Sequence, residues 1–234
     1  VAVGNVPAFV AGSGEIADGD RALGYEIAYG GNWYALIDAA AAGVELSPSG
    51  VGNAMATGAR LKAAINADIA AGRIAGVGRP VDSILFYRTE TDAGRLITRQ
   101  LVVLENNKFD RSPCGTGTSA RLAQMIARGE IAPGEAILSR NILDIDFEAV
   151  ATRDPQAEGK VLPSISGTAF ITGHNSFLLQ DGDPLDHGRF GTPLCEQRPR
   201  RQVNLVGARE GDAERLPVAQ QIGTEQVDVV VEQC

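Results

Sequence analysis

The 234-residue sequence is poor in sulfur and imidazole, with three cysteines, Cys114, Cys195 and Cys234, and two histidines, His174 and His187. An odd number of widely spaced thiols without a C-x-x-C pair excludes a disulfide-built scaffold and gives no metal-ligand spacing. No metal is therefore expected, and a reducing, cytoplasmic setting is. Apolar runs are short and interrupted, so no transmembrane helix is expected. The opening VAVGNVPAFVAGSG lacks a basic leader and carries Asn5 and Pro7, which makes it strand rather than secretory signal. Basic residues are also scarce: 21 Lys and Arg against 29 Asp and Glu leave a net charge of -8. A nucleic-acid surface does not follow from that balance, and the one arginine cluster, Arg198, Arg200 and Arg201, reads as a solvated patch. The absence of a Gly-Lys-Ser/Thr tripeptide excludes a Walker phosphate loop.

What is present suits a folded core, since 44% of residues are hydrophobic and 21% charged. Strand patterns at Val6 to Val10, Leu23 to Ala28 and Trp33 to Asp38, parted by turns at Asp18-Gly19-Asp20 and Gly30-Gly31, predict a meander. After the break Ser47-Pro48-Ser49-Gly50, an Ala-rich segment ending at Gly72 places Leu61, Ile65 and Ile69 on one face of a helix. Strands are predicted again at Val81 to Tyr87 and Arg99 to Leu104, with a turn at Asn106-Asn107. Others follow at Ala136 to Leu138, Ile145 to Ala151 and Phe170 to Leu179, with a loop at Asp154-Pro155. Runs of strands with two inserted helices predict an α+β fold.

The stretch Asp110-Arg111-Ser112-Pro113-Cys114-Gly115-Thr116-Gly117-Thr118-Ser119-Ala120-Arg121 carries the candidate chemistry. Pro113 suits the approach to a helix, Leu122, Met125 and Ile126 recur at helical spacing, and Gly129 and Pro133 end it. The first amides of such a helix have no internal partner, so Gly115 to Thr118 offer donors to an anion. A cysteine at that end is expected to have its pKa pulled down toward the thiolate. Two overlapping signatures fail on spacing. A cysteine-phosphatase loop needs Arg after five intervening residues, at position 120, but that position is Ala and Arg121 comes one residue late. The dinucleotide pattern Gly115-x-Gly117-x-x-Ala120, with Glu135 downstream, should follow a strand directly, whereas Asn106 to Pro113 intervene.

The run DRSPCGTGTSAR after ENNKF resembles an active-site signature of the proline racemase family, which includes 4-hydroxyproline 2-epimerases. Gly4-Asn5-Val6-Pro7-Ala8-Phe9-Val10, Gly30-Gly31-Asn32-Trp33-Tyr34-Ala35-Leu36-Ile37-Asp38 and Ser166-Gly167-Thr168-Ala169-Phe170-Ile171-Thr172-Gly173 extend the likeness over residues 1 to about 190. The resemblance implies a proline racemase or diaminopimelate-epimerase-like half, with a mixed sheet wrapped around a central helix. It further implies cofactor-independent inversion of the α-carbon of 4-hydroxyproline or, as second choice, proline, by two opposed thiols. Cys114 would be one of them, Asp110 would hold the substrate's ammonium, and Gly115 and Thr116 its carboxylate. Relatives with Thr at the position of Cys114 act as 3-hydroxyproline dehydratases, so the cysteine favours racemase or epimerase.

The family's partner cysteine lies in a Met-Cys-Gly-His segment, which this sequence lacks. Residues 1–190 are accordingly expected to be the second, C-terminal half of such an enzyme, completed by a missing N-terminal half or within a homodimer, and inactive alone. A non-catalytic binding half is the alternative. Residues 191–234 read as an extension. His174 and His187 are candidate bases by residue type alone and read as structural or exposed. Ser83 stands where epimerase relatives often have a substrate-contacting histidine, which would alter amine or ring recognition.

Overall fold

The computed structural model describes residues 1–19, 21–104 and 108–171. The Asn106-Asn107 turn, the strand candidate past Ile171, His174, His187, Cys195, Cys234 and the 191–234 extension lie outside them. Nine strands, β1 (Ala2–Gly4), β2 (Phe9–Asp18), β3 (Arg21–Tyr29), β4 (Trp33–Asp38), β5 (Ser83–Asp92), β6 (Arg95–Val103), β7 (Ile137–Arg140), β8 (Asp146–Arg153) and β9 (Val161–Ser166), form one sheet. Their spatial order is β1-β9-β8-β7-β6-β5-β4-β3-β2. Among the described residues, two α-helices, α1 (Val51–Ala70) and α2 (Gly115–Ala127), join this sheet in an α+β fold.

The predicted meander is β2-β3-β4, all antiparallel. Its first strand begins at Phe9 rather than Val6, because Asn5 to Ala8 is already engaged: Asn5 N–H donates to the Pro163 carbonyl at 2.9 Å, and Ala8 and Val161 exchange bonds of 2.8 and 2.9 Å. The β5–β6 hairpin is longer than the sequence pattern suggests. Asp92-Ala93-Gly94-Arg95 closes it, with Ala93 at φ 48° and Gly94 at φ 79°. Two consecutive positive φ values make the tight turn whose twist matches a hairpin. Its flanking residues face water, so they carry no hydrophobic signal.

Helix placement follows from connection handedness. The β4 to β5 pairing is parallel and spans α1, and the β6 to β7 pairing is parallel and spans α2. Both steps run in the same direction across the sheet, yet β5 and β6 are antiparallel, so the two pairs point opposite ways. Right-handed crossovers then put the helices on opposite faces. The side chains agree. Ala35, Ile37, Ile84, Phe86, Leu101 and Val103 pack with Leu61, Ile65 and Ile69 of α1. The alternate residues Tyr34, Leu36, Leu85 and Val102 pack with Ala120 and Cys114 at the start of α2.

Helix α2 touches β2, β3 and β4 at one end of the sheet and β8 and β9 at the other. The Ala8–Val161 bridge joins those ends, so the sheet wraps around α2 as the resemblance implied. Phe170 and Ile171, although inside the last strand candidate, belong to no strand and are exposed.

Close wrapping leaves no room at the Gly30-Gly31 turn. A Cβ on Gly30 would overlap the Thr116 carbonyl oxygen and the Ala120 nitrogen, and one on Gly31, whose φ is 113°, would reach 2.6 Å from Thr116 Cγ2. These are backbone and branched-chain atoms that cannot swing aside. Gly30→Ala is therefore expected to cost about 1–3 kcal/mol, the range for overpacking. Urea denaturation measures it, and an unchanged midpoint would show that the turn does not bear on α2.

Candidate active site

Cys114 is the N-cap of α2, with φ 65° and ψ 109°. A positive φ is costly for a residue with a Cβ, of the order of 1–3 kcal/mol, and persists only where neighbours impose it. The neighbours here are specific. Cys114 N–H donates to Ser112 Oγ at 3.0 Å, and its carbonyl receives the Thr118 N–H at 2.9 Å, the first bond of the helix. Thr118 Oγ1 donates to the Pro113 carbonyl at 3.2 Å and receives Gln100 Nε2 at 3.0 Å. With its one proton committed, Thr118 Oγ1 must accept from Ser139 Oγ, 2.7 Å away. Asn141 Nδ2 holds the Arg111 carbonyl. Strands β6 and β7 thus grip the loop on the side opposite the Gly30-Gly31 turn.

The first turn is tied from the other side too. Asn5 Nδ2 donates to the Gly30 carbonyl at 3.0 Å and to Ser119 Oγ at 2.7 Å, and Ser119 Oγ donates to the Gly115 carbonyl at 3.0 Å. The three sequence stretches around Asn5, Gly30 and Cys114 therefore meet at one place, the N-terminus of α2.

The sulfur lies in a polar corner of an otherwise apolar pocket. Gly117 N–H donates to Sγ at 3.4 Å, Tyr34 Oη is 3.6 Å away and Thr116 Oγ1 3.8 Å. Tyr34 and Thr116 are themselves bonded at 2.6 Å. A Cβ at position 117 would crowd Sγ, Leu85 and Val102 at 3.1 to 3.2 Å, so glycine is what lets the amide approach the sulfur. The amides of Gly115 and Thr116 have no partner among the described residues and remain available to an anion. Asp110 Oδ1 caps the turn by accepting the Ser112 N–H at 2.8 Å, and its carboxylate is partly exposed.

The expectation of a depressed thiol pKa is not met. Burial pushes the Cys114 thiol up to about 11, and the charge of Asp110 adds to the rise, outweighing the hydrogen bonds from Tyr34, Gly117 and Thr116. Only 5% of the residue is exposed. The helix terminus supplies one long amide bond to sulfur, while desolvation acts on the whole anion. At neutral pH Cys114 is a thiol.

The structure thus places Cys114, Gly115 and Thr116 in the first turn of α2 and Asp110 in the loop just before it. Tyr34, which sequence reasoning did not single out, joins them from β4. Its only signal was membership of the quoted stretch from Gly30 to Asp38. Ser83 is buried and in parallel register with Tyr34, so it lies beside that tyrosine on the sheet. The dinucleotide pattern fails structurally, because Gly115 and Gly117 lie inside the first helical turn rather than in a strand-to-helix turn. A groove lined by Ser13, Glu15, Glu26, Asp38, Tyr87 and Arg128 opens at the far end of α2. It is about 20 Å from the thiol by helix rise. No group of three or more metal-ligand side chains occurs among the described residues, and no described helix is long and apolar enough to cross a membrane.

Residues 1–190 match the family model described as proline racemase. The chain is 33% identical to proline racemase of Clostridioides difficile over 190 residues, covering 79% of this chain and 56% of that protein. It is 30% identical to 4-hydroxyproline epimerase of Brucella suis over the same length and shares. Among solved structures, a hydroxyproline epimerase from Agrobacterium vitis with bound trans-4-hydroxy-L-proline aligns with TM-score 0.63 and 31% identity, over 74% of this chain and 51% of that one. The chain spans about half the length of the relatives it matches.

A buried neutral thiol reacts slowly. Iodoacetamide modification of Cys114 at pH 7 is expected to be at least about a hundredfold slower in the folded than in the urea-unfolded chain. Peptide mass spectrometry resolves Cys114 from the other two cysteines, and equal rates would refute the burial argument. Because the folded pKa is raised, the stabilisation it represents is full below the unfolded pKa of about 8.5 and is lost as pH rises through about 11. The stability difference between the parent chain and Cys114→Ser should shrink over that window in pH-dependent urea melts.

Proposed function

The chain belongs to the proline racemase family, and from that premise we propose that it forms one wall of an active site that inverts the α-carbon of 4-hydroxyproline or, second, proline. The observation supporting this reading is a cysteine thiol capping a helix beside two amides that have no partner among the described residues, with a carboxylate in the loop just before the helix. A zwitterionic amino acid needs both kinds of partner close together. Its carboxylate suits the amides of Gly115 and Thr116, and its ammonium suits Asp110.

Inversion takes a proton from one face of the α-carbon and returns one to the other, and requires no cofactor. Cys114, held as a thiol, is suited to donate. The Gly117 amide and the two hydroxyls then stabilise the thiolate that donation leaves. Negative charge gathering on the substrate carboxylate as the α-proton departs would be stabilised by the α2 N-terminus.

The base must come from the opposite side, and the sequence has no Met-Cys-Gly-His segment to supply it. We assign the second thiol to another segment facing Cys114. Residues 1–190 would then be the second half of the enzyme and residues 191–234 an extension of it.

The reading is tested in two steps. Pyrrole-2-carboxylate, planar like the deprotonated intermediate, should bind the chain by calorimetry and bind more weakly to Thr116→Val. Pairing the chain with a half that carries Met-Cys-Gly-His should then give deuterium uptake at the α-carbon of 4-hydroxy-L-proline in heavy water. Cys114→Ser should lower that exchange by about 10²–10⁴-fold, the usual worth of a positioned acid or base. Binding without exchange would leave a non-catalytic binding half. Full exchange by Cys114→Ser would remove the thiol from the mechanism.

A further inference from the structure

Cys114 has to be an acid in one direction of inversion and a base in the other, so its surroundings must accommodate both thiol and thiolate. This requirement rests on the function proposed above. Among the described residues, the groups facing the sulfur are few. Strands β5 and β6 present the apolar side chains of Leu85 and Val102, and α2 presents the Gly117 amide and the Thr116 hydroxyl. Among the described residues, the titratable groups are Tyr34 from β4 and Asp110 from the loop before the helix.

Tyr34 is fully buried, and its hydroxyl lies 2.6 Å from Thr116 Oγ1 and 3.6 Å from Sγ, with the Asn32 side chain as a further polar neighbour. The short bond leaves one proton between two oxygens and frees the other for the sulfur. With Tyr34 donating to Thr116, the Thr116 proton points away from Tyr34, toward Sγ or an incoming carboxylate. With Thr116 donating to Tyr34, the phenol proton is free for Sγ, and a thiol proton can be received in either arrangement.

We propose that Tyr34 is a positioning residue that acts through Thr116, the two hydroxyls forming a reversible hydrogen-bond pair that serves Cys114 in both protonation states. Burial and the adjacent sulfur raise the phenol's pKa, so Tyr34 remains protonated while Cys114 titrates and acts as a donor rather than a base. An aromatic ring alone would fill the same space, and the hydroxyl is what the pair requires.

The test reads the thiolate of Cys114 directly, as ultraviolet absorbance of each protein minus that of its Cys114→Ser counterpart, between about pH 9 and 12. This difference does not depend on access of a reagent or on turnover, so it is independent of the proposed reaction. Tyr34→Phe should move the titration upward by about half a unit or more, the effect of removing one donor from a buried anion. Thr116→Val should do the same. Tyr34→Phe should add little in the Thr116→Val background, because the pair works as a unit. An unshifted titration in Tyr34→Phe, or additive shifts in the double variant, would overturn the proposal. If Tyr34→Phe does not fold, an unshifted titration in Thr116→Val overturns it alone.

Discussion

A helix N-terminus packed against a sheet carries amides with no intrahelical partner, and the fold depends on where each one goes. In this protein the enclosed terminus is that of α2. One amide goes to the Cys114 sulfur, another to the Cys114 carbonyl, and those of Gly115 and Thr116 have no partner among the described residues. The Gly30-Gly31 turn presses on the first turn from one side, while Gln100, Ser139 and Asn141 hold the preceding loop from the other. Cys114 can occupy its positive φ because both flanks are fixed.

That clamp explains why distant parts of the sequence carry the family's signature. Asn5 links the N-terminal stretch to Gly30 and to Ser119, and Tyr34 brings the next stretch to Thr116. The fourth stretch acts at one remove. Ser166 pairs with Ala2, and the Gly167 amide donates to the Val1 carbonyl at 2.9 Å, anchoring the strand that delivers Asn5. These contacts are polar and short, and a change at any of them would displace the thiol before it disturbed the apolar core.

The two faces of the sheet divide the work. The α1 face is apolar and continuous from Ile16 to Val103, and supplies stability through ordinary burial. The α2 face mixes Leu36, Leu85 and Val102 with Tyr34, Gln100, Thr118 and Ser139, all buried. Buried polar groups cost stability unless paired, so the second face spends part of what the first contributes on holding Cys114 in place.

By itself the sequence determined the α1 helix face at Leu61, Ile65 and Ile69, the meander, the start of α2 around Cys114 and its end at Gly129. All are local patterns, set by periodicity, turn residues and an extended family likeness. The long β5–β6 hairpin escaped because its outer residues are polar and its turn is marked only by Ala93 and Gly94. The tertiary structure alone decided the protonation of Cys114. Helix position argued for a thiolate, whereas the desolvation imposed by Leu85, Val102 and the enclosing sheet argued for a thiol, and desolvation won. It also brought in Tyr34, whose partner Thr116 is 82 residues away, a separation across which no local pattern carries information.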